Sequence, residues 1–164
     1  MLSRAGGRLV LAERTATTML DRALESMPGV QTLDFDTARD EHHAEHDLGI
    51  PVAPGQLAYV YFTSGSTGEP KGVMCEHAGM LNHLYAKIHD LGIGAEQVVA
   101  QTAPQCFDIS LWQLLSAPLA GGRTLLVEQD AILDAGRFID RIVEGKVSVL
   151  QVVPSYLEVL LSYL

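Results

Sequence analysis

The hydrophobic period of this chain switches repeatedly, from two residues to nearly four and back. Runs suited to strands fall at Arg8 to Ala12, Val30 to Phe35, Leu57 to Thr63, Gln97 to Thr102, Thr124 to Glu128 and Val147 to Val153. Stretches with helical spacing lie between them. Thr15 to Met27 sets Met19, Ala23 and Met27 four apart, and Pro28-Gly29 stops it. Ala78 to Gly92 repeats Met80, Leu84 and Ile88 along one face. Ile109 to Gly122, Ala135 to Gly145 and Ser155 to Leu164 complete the set. Strands alternating with helices predict an α/β fold, with a mostly parallel sheet flanked by helices. In such sheets ligands bind beyond the carboxyl ends of strands.

One strand delivers an unusual loop. "LAYVYFTSGSTGEPKG" passes from an apolar run into hydroxyls, glycines and a lysine. Glycine lets the backbone turn tightly and lets a ligand approach its N–H groups. Successive N–H groups form anion-binding nests, hydroxyls add donors without bulk, and a lysine adds a point charge. The combination predicts a polyphosphate cradle. It is not a Walker loop, because Pro70 precedes Lys71 and Gly72 follows it.

The rest of the chain narrows the field. At 164 residues it has the size of one ordinary domain, and with 48% hydrophobic residues it can build a core. A net charge of −9 argues against broad nucleic-acid contact, which needs a basic face. No apolar run approaches the roughly 20 residues of a membrane span. The N-terminus does not read as a signal peptide. Cys75 and Cys106 lack paired spacing and read as reduced thiols, which points to the cytoplasm. Residues 36–56 read as an acidic Pro/Gly connection. His42, His43 and His46 lie within it among acidic residues and read as solvated surface, so no metal site is assigned. His77 reads as part of a helix start, and nothing near Cys75 marks it as a nucleophile.

The whole stretch Leu57 to His77, "LAYVYFTSGSTGEPKGVMCEH", resembles the phosphate-loop signature of the adenylate-forming enzymes. More narrowly it resembles the adenylation domains of nonribosomal peptide synthetases. "GGRLVLAE", "APQCFDISLWQLLSAPLAGG" and "VSVLQVVPSYLEVLL" extend the likeness over nearly the whole chain. The resemblance implies a reaction of a carboxylate with ATP and Mg2+ to give an acyl adenylate and pyrophosphate. The acyl group then passes to the phosphopantetheine thiol of a carrier protein, so carrier and adjacent synthetase domains are the implied partners. Thr63, Ser64, Gly65, Ser66, Thr67, Gly68 and Lys71 would hold the ATP phosphates.

Asp108 has two readings. It precedes a predicted helix, where aspartate is a favoured cap. By the resemblance, it pairs with the ammonium of an α-amino acid substrate. The implied side-chain pocket falls on Ile109, Trp112 and Gln151. Ile109 and Trp112 are equally plausible core residues. Gln151 is a polar residue in a strand otherwise apolar from Val149 to Val153, and a buried amide needs a partner.

The family's domain is several times longer. By the resemblance, the magnesium-holding glutamate, the ribose-binding aspartate, the hinge and the small domain with its lysine lie outside these residues. Both ends are expected to be cut from a larger fold, leaving apolar surface exposed, with poor solubility and no adenylation by the chain alone. The rival readings are an acyl- or aryl-acid ligase segment, or a short noncatalytic protein that binds nucleotide or a partner.

Overall fold

A computed structural model describes residues 2–13, 17–41, 43–64 and 68–163. The backbone divides into two compact units, Met1–Val52 with Phe62–Val73, and Ala53–Tyr61 with Met74–Leu164.

The first unit contains α1 (Leu2–Ala5), β1 (Leu9–Ala12), α2 (Thr17–Leu24), β2 (Gln31–Asp34) and α3 (Phe35–Asp40). β1 and β2 pair in parallel, from Leu9 opposite Gln31 to Ala12 opposite Asp34. Parallel neighbours need a crossover, and α2 lies within it. The predicted start of that helix at Thr15 lies outside the described residues. α3 corrects the reading of 36–56 as connection throughout. The Asp34 carboxylate accepts from the Thr37 N–H at 2.8 Å and from the Thr37 hydroxyl at 2.8 Å, which starts a helix. From His43 to Gln56 the chain carries neither helix nor strand. His43 stays on the surface, its Nε2 3.0 Å from the Ala38 carbonyl.

β3 (Leu57–Thr63) and β4 (Lys71–Glu76) form a second two-stranded sheet. The division between units passes through both strands, after Tyr61 and after Val73. β3 matches the expected strand, whereas no strand was expected over β4.

The second unit continues with α4 (His77–Asp90), β5 (Val98–Gln101), α5 (Ile109–Leu119), β6 (Arg123–Leu126), α6 (Gln129–Ile132), α7 (Ala135–Glu144) and α8 (Pro154–Tyr163). β5 and β6 run parallel, Val98 opposite Arg123 through Gln101 opposite Leu126, with α5 as the crossover. Neighbouring residues of β5 face opposite ways, as the strand period requires. Val99 joins Leu84, Ile93, Trp112 and Ala117 in one apolar cluster. Ala100 joins Val127, Ala131, Phe138 and Leu160 in another. β5 is therefore covered on both faces, which explains its continuous apolar sequence.

Local chemistry fixes the crossover. Pro118 lies in the last turn of α5 and has no N–H for the Leu114 carbonyl. The Thr124 hydroxyl donates to that carbonyl at 2.9 Å instead. Gly122 is required for packing: a Cβ there would stand 2.6 Å from the Gly94 carbonyl oxygen and 2.7 Å from that of Gln97.

The α/β class and the parallel pairing hold. Among the described residues, however, the strands lie in three two-stranded sheets. The expected strand at Val147 to Val153 is reduced to a single bridge between Val149 and Val99. The Ser148 hydroxyl takes the Val98 N–H at 2.9 Å, and side chains take the Gln151 carbonyl, so ladder partners are diverted. No helix among the described residues is long and apolar enough to cross a membrane.

Candidate functional site

Asp108, Ile109, Trp112 and Gln151 line one concavity in the second unit, together with Tyr59, His83 and Lys87. Its volume is about 280 Å³. The sequence-predicted substrate residues come from the two ends of a 44-residue interval, and the β5–α5 crossover helps bring them together.

Asp108 stands at the N-terminus of α5, and its Oδ1 accepts from the Ile109 N–H at 2.8 Å. The geometry differs from that of the protein's other aspartate caps. Asp34 and Asp134 have extended backbones and bond the N–H three residues on. Asp108 has helical angles, φ −59° and ψ −31°, and bonds only its neighbour. Its side chain is exposed at the concavity, and capping engages one of its two oxygens.

Ile109 is half-buried and packs against the first cluster, while Trp112 is 2% exposed within it. Both the core reading and the pocket reading therefore describe these residues. The ammonium of Lys87 lies 5.5 Å from the Trp112 ring centroid.

Gln151 departs from expectation. It lies outside regular structure and is exposed, so it is no buried amide within a strand. Its backbone carbonyl is the anchored group, accepting from the Thr102 hydroxyl and from Gln113 Nε2, each at 3.4 Å.

Gln113 escaped the sequence reading. It is fully buried, and its Oε1 accepts from the N–H groups of Thr102 at 3.1 Å and Ala103 at 3.0 Å. One side chain thus ties the segment leaving β5 to the segment carrying Gln151. The signal was present: a lone amide inside the apolar helix "ISLWQLLSAPL". Tyr59 was missed as well. Its hydroxyl is pushed up to about 12, first by a hydrogen bond with Cys75, then by burial, and by the charges of Cys75, Tyr61 and Asp108. A larger, mostly apolar cavity of about 480 Å³ shares Ile109 and Gln151 with the concavity and extends toward Phe107, Val152 and Tyr156.

The glycine-rich loop belongs to the first unit. Thr63 and Ser64 end β3 and follow it, both exposed, and Lys71 opens β4, also exposed. Gly68 has φ +80°, a left-handed turn that favours glycine. Gly65, Ser66 and Thr67 lie outside the described residues. Arg4 donates to the Pro70 carbonyl at 3.0 Å and pairs with Glu69, tethering the loop's far side to α1. His77 is the first residue of α4, as expected.

A strand–loop–strand carrying hydroxyls and a lysine, together with an aspartate-headed concavity, occurs here on an α/β frame. The family model "AMP-binding enzyme" matches residues 1–164, and the chain belongs to that family. It is 39% identical over 163 residues to indigoidine synthase of Streptomyces lavendulae, covering 99% of this chain and 13% of that protein. Tyrocidine synthase 3 of Brevibacillus parabrevis is 31% identical over 156 residues, covering 93% of this chain and 2% of that one. Among solved structures, o-succinylbenzoate CoA synthetase of Bacillus subtilis, in complex with an acyl-adenylate intermediate, superposes with a TM-score of 0.81. The match covers 99% of this chain and 41% of that one at 22% identity, a likeness of fold. The chain therefore spans a small part of the curated relatives and under half of the solved chain.

Proposed function

We propose that residues 1–164 form part of the large subdomain of an amino-acid-activating adenylation domain of nonribosomal peptide synthesis. The polypeptide bearing this sequence joins an amino acid to ATP, giving aminoacyl-AMP and pyrophosphate. It then hands the aminoacyl group to the phosphopantetheine thiol of a carrier protein, forming a thioester as AMP leaves. Carrier and neighbouring synthetase domains are its partners, and the cytoplasm its compartment. The observation carrying this reading is that Asp108, Ile109, Trp112 and Gln151 line one concavity.

The chemistry follows from those side chains. An oxygen of the amino acid carboxylate attacks the α-phosphorus of ATP, the bond to the bridging oxygen breaks, and pyrophosphate leaves with the electron pair. Negative charge grows on the departing group. Lys71, the hydroxyls of Thr63, Ser64, Ser66 and Thr67, and the N–H groups at Gly65 and Gly68 favour that charge. Asp108 receives the substrate ammonium on the carboxylate oxygen that capping leaves over, while Ile109, Trp112 and Gln151 border the side chain. An acid lacking the amine leaves the Asp108 charge unpaired, which selects against it. Among the described residues no group of three or more His, Cys, Asp or Glu side chains could hold a metal ion. Magnesium bound with ATP is held mainly by phosphate oxygens and water with one or two carboxylates, so it needs no such cluster, and it would add positive charge at the departing pyrophosphate.

The test is amino-acid-dependent exchange of pyrophosphate into ATP by the polypeptide bearing this sequence. Asp108→Ala should lower kcat/KM for the amino acid by roughly a hundredfold, with ATP binding retained. Undiminished amino-acid use by that variant would return Asp108 to a capping role, and exchange driven only by acids without an amine would favour an acyl- or aryl-acid ligase.

A further inference from the structure

Lys87 is the charged residue of the concavity that the proposed function leaves without a task. It follows His83 by four residues on α4, so the two share a helical face, and both line the concavity opened by Asp108. Lys87 is half-buried. Trp112, buried in the core, supports it through its aromatic face. Neither Lys87 nor Asp108 has an ion-pair partner among the described residues; the ion pairs there involve other side chains. Of the seven lining residues, Ile109 alone carries no polar or charged side-chain group.

We infer that the concavity selects an α-amino acid bearing a carboxylate on its side chain, and that Lys87 is the residue that reads it. This rests on the adenylation reading above. A carboxylate and a partly desolvated ammonium, both unpaired at one cavity wall, are complementary to a ligand carrying a cation and an anion. The ligand's cation is the α-ammonium at Asp108. Its anion cannot be the α-carboxylate throughout, because activation converts that group into the adenylate. The anion that persists through the reaction is on the side chain. The Gln151 amide adds donors at the same wall.

The experiment is the exchange assay on the polypeptide bearing this sequence, with aspartate, glutamate, their amides, leucine and phenylalanine as competing substrates. The acidic amino acids should give the highest kcat/KM. Lys87→Gln should lower the ratio of kcat/KM for the acid to that for its amide by roughly tenfold to a hundredfold. Lys87→Arg should restore most of the ratio. The melting temperature of each variant reports whether the fold around the concavity is kept. A preference for leucine, phenylalanine or the amides overturns the inference. So does a Lys87→Gln variant that slows acid and amide equally, since that marks a scaffold role or a contact with the α-carboxylate. If only acids without an amine drive exchange, the adenylation reading of Asp108 fails separately. Lys87 is then judged by whether a dicarboxylic acid outruns its monocarboxylic analogue.

Discussion

The two parallel strand pairs, β1–β2 and β5–β6, arise from similar sequence patterns and end in different surroundings. In β5, Val98, Val99 and Ala100 are 4%, 0% and 0% exposed. In β1, Leu9 and Leu11 are 59% and 57% exposed, and no described residue of the first unit is buried. An apolar run with a helical stretch behind it suffices to specify a strand and its parallel neighbour. Burial needs helices against both faces, and β5 has them in α4 and α5 on one side and α6, α7 and α8 on the other. The first unit leaves Leu33 and Phe35 exposed too, which agrees with the expected exposure of apolar surface.

The largest consequence is in local stability. Backbone amides of β5 should exchange with solvent slower than those of β1 by on the order of a thousandfold or more. Hydrogen exchange read by mass spectrometry or NMR decides it. Equal protection in the two strands would mean that β1 gains cover the comparison denies it.

Side-chain deletion sharpens the same contrast. Phe138 is 1% exposed and meets Tyr156 edge-on, with ring centroids 5.4 Å apart. Phe138→Ala should cost about 3–5 kcal/mol in denaturant melts. Leu11→Ala should cost about 0.5 kcal/mol or less, because its site is already open to water. Gln113→Ala falls between them. It strips the acceptor from two N–H groups, and should cost about 1–3 kcal/mol for whichever of them stays dry. It should also weaken amino-acid use by loosening the segment that carries Gln151. A Gln113→Ala variant as stable as the parent would show that water takes over both donors.

What the sequence disclosed follows the same division. Period and punctuation located β1, β2, β3, β5, β6 and the helices α2, α4, α5, α7 and α8, because those signals are local. α3 was missed, although Asp34, at the end of an expected strand, and Thr37, in the stretch read as acidic connection, stood at cap spacing. The run from Val147 to Val153 looked like a strand, yet the Ser148 hydroxyl and the side chains of Thr102 and Gln113 occupy groups a ladder would use. Pairing depends on such distant competitors, and local pattern does not contain them. At the site, Asp108, Ile109, Trp112 and Gln151 were legible through a motif. Tyr59, His83 and Lys87 were not, since nothing local to β3 or α4 announces that they face Asp108.

The second unit is not sealed throughout, and Tyr59 marks where its cover thins. It is half-buried, and its ring meets Tyr61 edge-on with centroids 5.1 Å apart. Its hydroxyl is raised from 10.0 to about 12, with the hydrogen bond to Cys75 the largest cause. A raised pKa means that the folded state holds this proton more tightly than the unfolded chain does. The stabilisation is complete below pH 10 and fades as pH rises from 10 toward 12. Cys75→Ala removes the leading cause and should bring the Tyr59 transition down toward 10, read by ultraviolet or NMR titration with Tyr59→Phe as the assignment control. The shift should not return fully, because burial and the charges of Tyr61 and Asp108 remain. An unchanged transition in Cys75→Ala would make burial the ruling cause, and would place Tyr59 closer to the well-covered class that β5 defines.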